Sequence, residues 1–286
     1  MMEDGKHAVI LAGGQGVRLR PYTTSIPKPL VPIGGEMSIL EIVLRQLRAH
    51  GFTSVTLAIG HLGQIIRAYV GDGSAWDIDV TFHLEQEPLG TIGPLLYMKD
   101  YLPERFVVMN GDILTDLNYR ALMDEHTLFD ADVTVATYSR EVKIDFGVLE
   151  IAKGQITEFR EKPSLGYSVS MGVYGMSRRV LERYTEGTAM GFDTLMLDQL
   201  SLGRSPRSFA FDGYWLDIGR PDDYDRANGE FAQRRSQLLP SRAPALALLD
   251  GSLDAVPEPV AMPAPIAMPV PIQVPVTVPV RAPAQR

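Results

Sequence analysis

The densest chemical signal lies near the N-terminus, in Leu11-Ala12-Gly13-Gly14-Gln15-Gly16-Val17-Arg18-Leu19, followed by Pro27-Lys28-Pro29. An apolar strand running into three glycines leaves amides free of side-chain cover, able to approach and donate to phosphate oxygens. Arg18 and Lys28 add fixed positive charge, and the flanking prolines are expected to hold Lys28 in an extended segment that suits aiming a cation. The two common phosphate loops do not fit. A Walker A loop ends in Gly-Lys-Ser/Thr where this chain has Val17-Arg18-Leu19, and a Rossmann fingerprint begun at Gly14 needs a glycine where Leu19 stands. The chemistry expected is nonetheless phosphate binding, with Leu11, Ala12, Gly13, Gly14 and Gly16 as nucleotide contacts.

Two aspartates follow apolar runs, Asp112 in Met109-Asn110-Gly111-Asp112 and Asp217 in Tyr214-Trp215-Leu216-Asp217. A carboxylate at the C-terminal end of a strand faces the ligand crevice of an open α/β sheet. Two such groups with phosphate oxygens form a natural Mg²⁺ site, since magnesium takes oxygen ligands and keeps several waters. Other chemistries find no residues. The five histidines show no metal spacing, no nucleophile elbow occurs, and the absence of cysteine excludes disulfides, iron–sulfur clusters and thiolate zinc.

The elements that must position these groups alternate. Strands are predicted over 8–12, 55–59, 80–84, 106–109 and 132–137, with helices over 38–50, 62–70, 91–101 and 117–129 between them. Ser38 and Glu41 have capping-box spacing. From 148 the pattern turns antiparallel: a hairpin of 148–151 and 156–159 around Lys153-Gly154, then strands over 169–176, 208–211 and 215–218. Pro221 opens a last helix with Asp222 and Asp223 in its first turn. The fold expected is α/β, a Rossmann-like three-layer sandwich with a mixed, mostly parallel central sheet.

Composition divides the chain. Of 21 prolines, 11 fall between Pro240 and Pro283, while the formal charge of −8 belongs wholly to residues 1–239. Residues 1–239 are therefore expected to form one domain, and 240–286 a proline-rich, extended and disordered tail, since each proline removes a ladder donor. The acidic balance argues against nucleic acid as a partner. No run reaches the ~18 apolar residues of a membrane span, so a cytoplasmic location is expected.

These motifs resemble those of the sugar-1-phosphate nucleotidyltransferases, also called nucleotide-sugar pyrophosphorylases, over about His7 to Phe231. The glycine-rich loop matches their signature except that Val17 replaces the usual Thr. The chain looks closest to guanylyl-transferring members of the mannose-1-phosphate type. The resemblance implies that a sugar-1-phosphate oxygen attacks the α-phosphorus of a nucleoside triphosphate in line, releasing pyrophosphate and forming an NDP-sugar, with Mg²⁺ as cofactor. Arg18 and Lys28 are the implied catalytic cations, Asp112 and Asp217 the metal ligands, and Asn110 and Gly111 further nucleotide contacts. Glu85-Gln86-Glu87-Pro88-Leu89-Gly90 resembles the base-recognition stretch, with Gly90 against the base and Glu85 or Gln86 reading its edge. A carboxylate there suits guanine's N1–H and amino group, whereas an amide suits thymine or uracil. Ile92 and Pro94 depart from the alanines usual just beyond. Glu161-Lys162-Pro163 resembles the sugar-phosphate lining, together with Gly147 and Gly172; Met171 stands where Asn is usual. The partners implied are an NTP and a sugar-1-phosphate, with a homo-oligomer open. Three other readings remain at this stage: a nucleotide-sugar-dependent glycosyltransferase, although Asn110-Gly111-Asp112 lacks its usual Asp-x-Asp; a non-catalytic nucleotide-sugar-binding regulatory homologue; and a protein whose partner-binding end is the tail.

Overall fold

The structure, a computed structural model, describes residues 3–239. The proline-rich segment expected to be a tail lies outside the described residues. Strand β1 (His7–Ala12) is followed by the short antiparallel pair β2 (Pro32–Ile33) and β3 (Met37–Ser38), helix α1 (Ile39–Ala49), strand β4 (Ser54–Ile59), helix α2 (Gly63–Val70) and strand β5 (Asp79–Leu84). Then come α3 (Gly93–Leu96), β6 (Arg105–Asn110), β7 (Ile113–Thr115), α4 (Tyr119–Leu128) and β8 (Val133–Lys143). The hairpin β9 (Val148–Ala152) and β10 (Gln155–Arg160) leads into the long β11 (Ser164–Ser177), and α5 (Phe192–Ser201), β12 (Arg207–Phe211), β13 (Trp215–Asp217) and α6 (Pro221–Leu238) complete the described chain.

Seven strands form the central sheet in the order β12-β8-β11-β6-β1-β4-β5. Every neighbouring pair is parallel except the two involving β11. The sheet is therefore mixed and mostly parallel, as expected. Successive residues of its central strands face opposite ways, as a period of two requires. Ile10, Leu57 and Val107 pack in one core with Leu40, Val43 and Leu44 of α1, Ile66 of α2 and Leu122 of α4. Val9, Ala58 and Val108 pack on the other side with Leu95 of α3 and Leu195 of α5. Helices thus cover both faces and make three layers. A further cluster joins Ile39 and Ile42 of α1 to Leu114, Leu216 and Phe231, so α6 closes over the paired β7 and β13. Gln46 of α1 fastens this corner: its amide donates to Thr115 O at 2.7 Å and Leu238 O at 2.8 Å.

The start of α1 realises half of the expected capping box. Ser38 Oγ accepts from the Glu41 amide at 3.1 Å, but the Glu41 carboxylate is taken by Arg45 and by the Tyr69 hydroxyl. The helix expected over 91–101 is reduced to the single turn of α3. Beyond it the chain continues in turns, with Met98 N–H bonded to Leu95 O and Tyr101 N–H to Met98 O, so the α-type ladder is not propagated. Gly93 and Pro94 at its start are both poor helix formers. Four elements are additional to those expected: the short paired strands β2 and β3, strand β7 and helix α5. Among the described residues no helix is long and apolar enough to cross a membrane.

Candidate active site

The chain runs from β1 out through β4 to β5, then returns to lay β6 on the other side of β1. That reversal leaves a crevice at the C-terminal ends of β1 and β6, where open α/β sheets bind their ligands. Leu11 pairs with Asn110 across it. The glycine-rich loop leaves from one lip and Asn110-Gly111-Asp112 from the other, tied by the Gly111 N–H to Leu11 O at 2.9 Å. A Cβ at Gly111 would lie 2.8 Å from that same oxygen, so only glycine permits this approach.

Gly16 has φ +61°, a left-handed conformation that ends the loop and starts a single helical turn over Val17–Leu19. The Thr23 hydroxyl locks it by donating to Gly16 O at 2.7 Å. Leu19 is buried in the α6 corner, and its neighbour Arg18 is exposed, with its guanidinium lying against Gly219. Lys28, expected in an extended segment, instead begins a second turn, closed by the Leu30 N–H bond to Pro27 O and the Val31 N–H bond to Lys28 O. It is almost fully buried, and its Nζ pairs with Asp112 Oδ2.

The two aspartates meet because β13 pairs antiparallel with β7. Asp217 lies opposite Ile113, and the Ile218 N–H donates to Asp112 O at 3.1 Å. The carboxyl of Asp217 has its pKa raised, first by the protein around it displacing water and then by the Asp112 charge; Lys28 and Arg18 act in the opposite sense. Asp217 is thus within electrostatic reach of the other three side chains. Asp112 Oδ1 is buried without a hydrogen-bond partner. Among the described residues no cluster of three or more His, Asp or Glu could cage a metal alone. An unpartnered carboxylate oxygen beside a second carboxylate, at the mouth of a phosphate loop, fits Mg²⁺, which is typically held by one or two carboxylates with substrate phosphates.

On the other side of the loop the Glu85 carboxylate packs directly on Gly13, where any Cβ would collide with it. Burial raises the pKa of this carboxyl. Gln86 and Gly90 are exposed, and Gly90 has φ +80°. The stretch is anchored from a distance in sequence: Met190 O accepts from Ile92 N–H at 2.9 Å and Gly93 N–H at 3.2 Å.

The residues matched to a sugar-phosphate lining are less tightly assembled. Gly172, at φ +74°, lies against the Asn110 side chain, in a register shift of β11 between Ser170 and Tyr174. Met171 is buried in the core, and its carbonyl accepts from the Trp215 indole at 3.0 Å. Its side chain therefore replaces a polar group with a packing one. Gly147 packs against Phe159, with Glu161 Oε2 close by. Glu161 and Lys162 are exposed, and among the described residues no hydrogen bond or ion pair joins them to Asp112 or Asp217. Two contributors escaped the sequence reading. Thr23 carried a weak signal, a hydroxyl in the proline-bounded segment after the loop. Met190 carried none, because it acts through its carbonyl.

Comparison with known proteins agrees with the fold. A model of the nucleotidyl transferase family matches residues 7–234. The mannose-1-phosphate guanyltransferase of Schizosaccharomyces pombe is 32% identical over 226 residues, which are 76% of this chain and 62% of that protein. The chain thus spans less than two thirds of that relative's length. The D-glycero-alpha-D-manno-heptose 1-phosphate guanylyltransferase of Aneurinibacillus thermoaerophilus is 31% identical over 228 residues, 78% of this chain and 97% of that one. Among solved structures, HddC from Yersinia pseudotuberculosis superposes with a TM-score of 0.63 at 28% identity, covering 79% of this chain and 99% of its own.

Proposed function

The chain belongs to the nucleotidyl transferase family, as a sugar-1-phosphate nucleotidyltransferase by its relatives, and from that premise we propose that it transfers a nucleotidyl group from an NTP, GTP by preference, to a sugar-1-phosphate, forming an NDP-sugar and pyrophosphate. The observation that carries this reading is the convergence of Lys28, Arg18, Asp112 and Asp217 at the mouth of a glycine-rich loop.

The acceptor phosphate is already a competent nucleophile, so the protein needs no general base. Its work is to align and to neutralise charge. Gly13, Gly14 and Gly16 offer amides to the triphosphate. Arg18 takes the departing pyrophosphate, Lys28 the α-phosphate, and Lys162 the acceptor phosphate, with Glu161 accepting sugar hydroxyls. Asp112 and Asp217 would hold Mg²⁺, which supplies Lewis-acid charge neutralisation at the phosphate oxygens when bound. GTP is favoured on two grounds. The relatives named above are guanylyltransferases, and Glu85 presents a carboxylate beside the loop, able to accept from both N1–H and the amino group of guanine.

The test is pyrophosphate release from ATP, GTP, CTP, UTP and dTTP, each against hexose-, heptose- and cyclitol-1-phosphates. GTP with one acceptor class should dominate. Asp112→Ala should lower that rate by ~10²–10³. No release from any pair, or full turnover by Asp112→Ala, would overturn the reading.

A further inference from the structure

Lys28 and Asp112 are paired at low exposure, with the Asp217 carboxylate within electrostatic reach of both. The Lys28 side chain is 10% exposed and that of Asp112 23%. One Asp112 oxygen holds the lysine, while the other is buried and has no hydrogen-bond partner. The backbone beneath Lys28 is fixed by Pro27 and Pro29 and by the turn bonds of Leu30 and Val31. Only the side chain can move, and it is long and flexible.

We infer that Lys28 is the resident cation of the nucleotide-free site: its ammonium occupies the Asp112 carboxylate until a triphosphate draws it off, so that a divalent cation enters between Asp112 and Asp217 with the nucleotide and not before it. This rests on the nucleotidyl-transfer reading of the site. The physical basis is competition. An ammonium in contact with one carboxylate oxygen repels a dication from the other, and the low exposure of both groups weakens solvent screening. Two facing carboxylates without a nearby cation would repel each other, so the lysine also keeps the empty site compact. A triphosphate reverses the balance. It offers the ammonium several anionic oxygens and gives the dication the ligands that two carboxylates leave unfilled. The arrangement makes metal and nucleotide binding mutually dependent, and the dependence is reciprocal.

Manganese is the probe. Free Mn²⁺ is counted by electron paramagnetic resonance against the wild type, Lys28→Met and Asp112→Asn, all without nucleotide. Lys28→Met should bind Mn²⁺ at least about tenfold more tightly than the wild type, and Asp112→Asn should not bind it. Equal affinity of Lys28→Met and wild type would overturn the inference. The wild type alone supplies a second measurement should that variant fail to fold. Its crystals are soaked in Mn²⁺ with and without a non-hydrolysable GTP analogue, and the metal is located by anomalous scattering. Manganese should appear only with the analogue, with Lys28 turned away from Asp112. Manganese bound with Lys28 still on Asp112 would sink the inference while leaving the metal assignment standing. Manganese absent from both soaks and from Lys28→Met would remove the metal assignment as well.

Discussion

At the scale of single residues, the site depends on how closely side chains press on the loop. Glu85 sits on Gly13 so tightly that a methyl group there would displace it. Burial raises the pKa of its carboxyl, and a bound base would have to repay that desolvation with hydrogen bonds. Glu85→Gln exchanges one acceptor oxygen for a donor amide, which would face a guanine N–H. A well-made bidentate contact is worth ~1–3 kcal/mol. The expected result is therefore a loss of about 10- to 100-fold in kcat/KM for GTP, with a smaller loss for UTP. Initial rates on both nucleotides check this, and an unchanged GTP/UTP ratio would assign base recognition elsewhere. The glycine-rich loop and both aspartates were legible in the sequence because each follows an apolar strand, and Lys28 because prolines flank it. The Lys28–Asp112 pair was not legible. Its partners are 84 residues apart and meet only because β6 is laid beside β1.

At the scale of elements, two buried histidines set how the sheet responds to acid. His126 of α4 bonds through Nδ1 to Thr134 of β8 at 2.9 Å and through Nε2 to Ser177 of β11 at 3.2 Å. His7 of β1 lies between Ser54 and Thr56 of β4. Burial lowers both imidazoles from 6.5 to about 4. The folded state thus prefers the neutral ring, and the unfolded chain binds more protons between these values. Stability from this source is complete above about pH 6.5 and is lost as pH falls to about 4, on the order of 2–3 kcal/mol per ring. Urea midpoints measured between pH 7 and 4 should fall, and His126→Gln should flatten part of that slope; an identical slope in the variant would show that His126 does not contribute. Elements were legible where their pattern was long, as in the continuous apolar run of β1 and the one-sided apolar face of α1. They were missed where it was not. Strand β7 has three residues, too few for a period to show. Helix α5 exposes Leu197 and Leu200 and so presents no clean apolar stripe. The opposite error at α3 came from apolar residues, Leu95, Leu96 and Met98, that are buried in turns rather than on a continuous helix.

At the scale of the whole molecule, all the proposed site residues, from Leu11 to Asp217, lie in the part that also holds the excess negative charge. Among the described residues, Leu238 fastens the end of α6: its side chain is buried and its carbonyl accepts from Gln46. A chain ending at Leu239 should keep pyrophosphate release within about twofold of the full chain, since every residue proposed for the site lies before it. A larger loss in the same coupled assay would tie the proline-rich segment to catalysis. The Gln46 clasp has a further consequence for manufacture. Synthesis from the N-terminus delivers the glycine-rich loop and Lys28 first, but Asp112 follows only after another 84 residues, and Leu238 comes 192 residues after Gln46. The nascent chain therefore carries a phosphate loop before the lip that faces it, and the corner beside that loop is not fastened until α6 has left the ribosome.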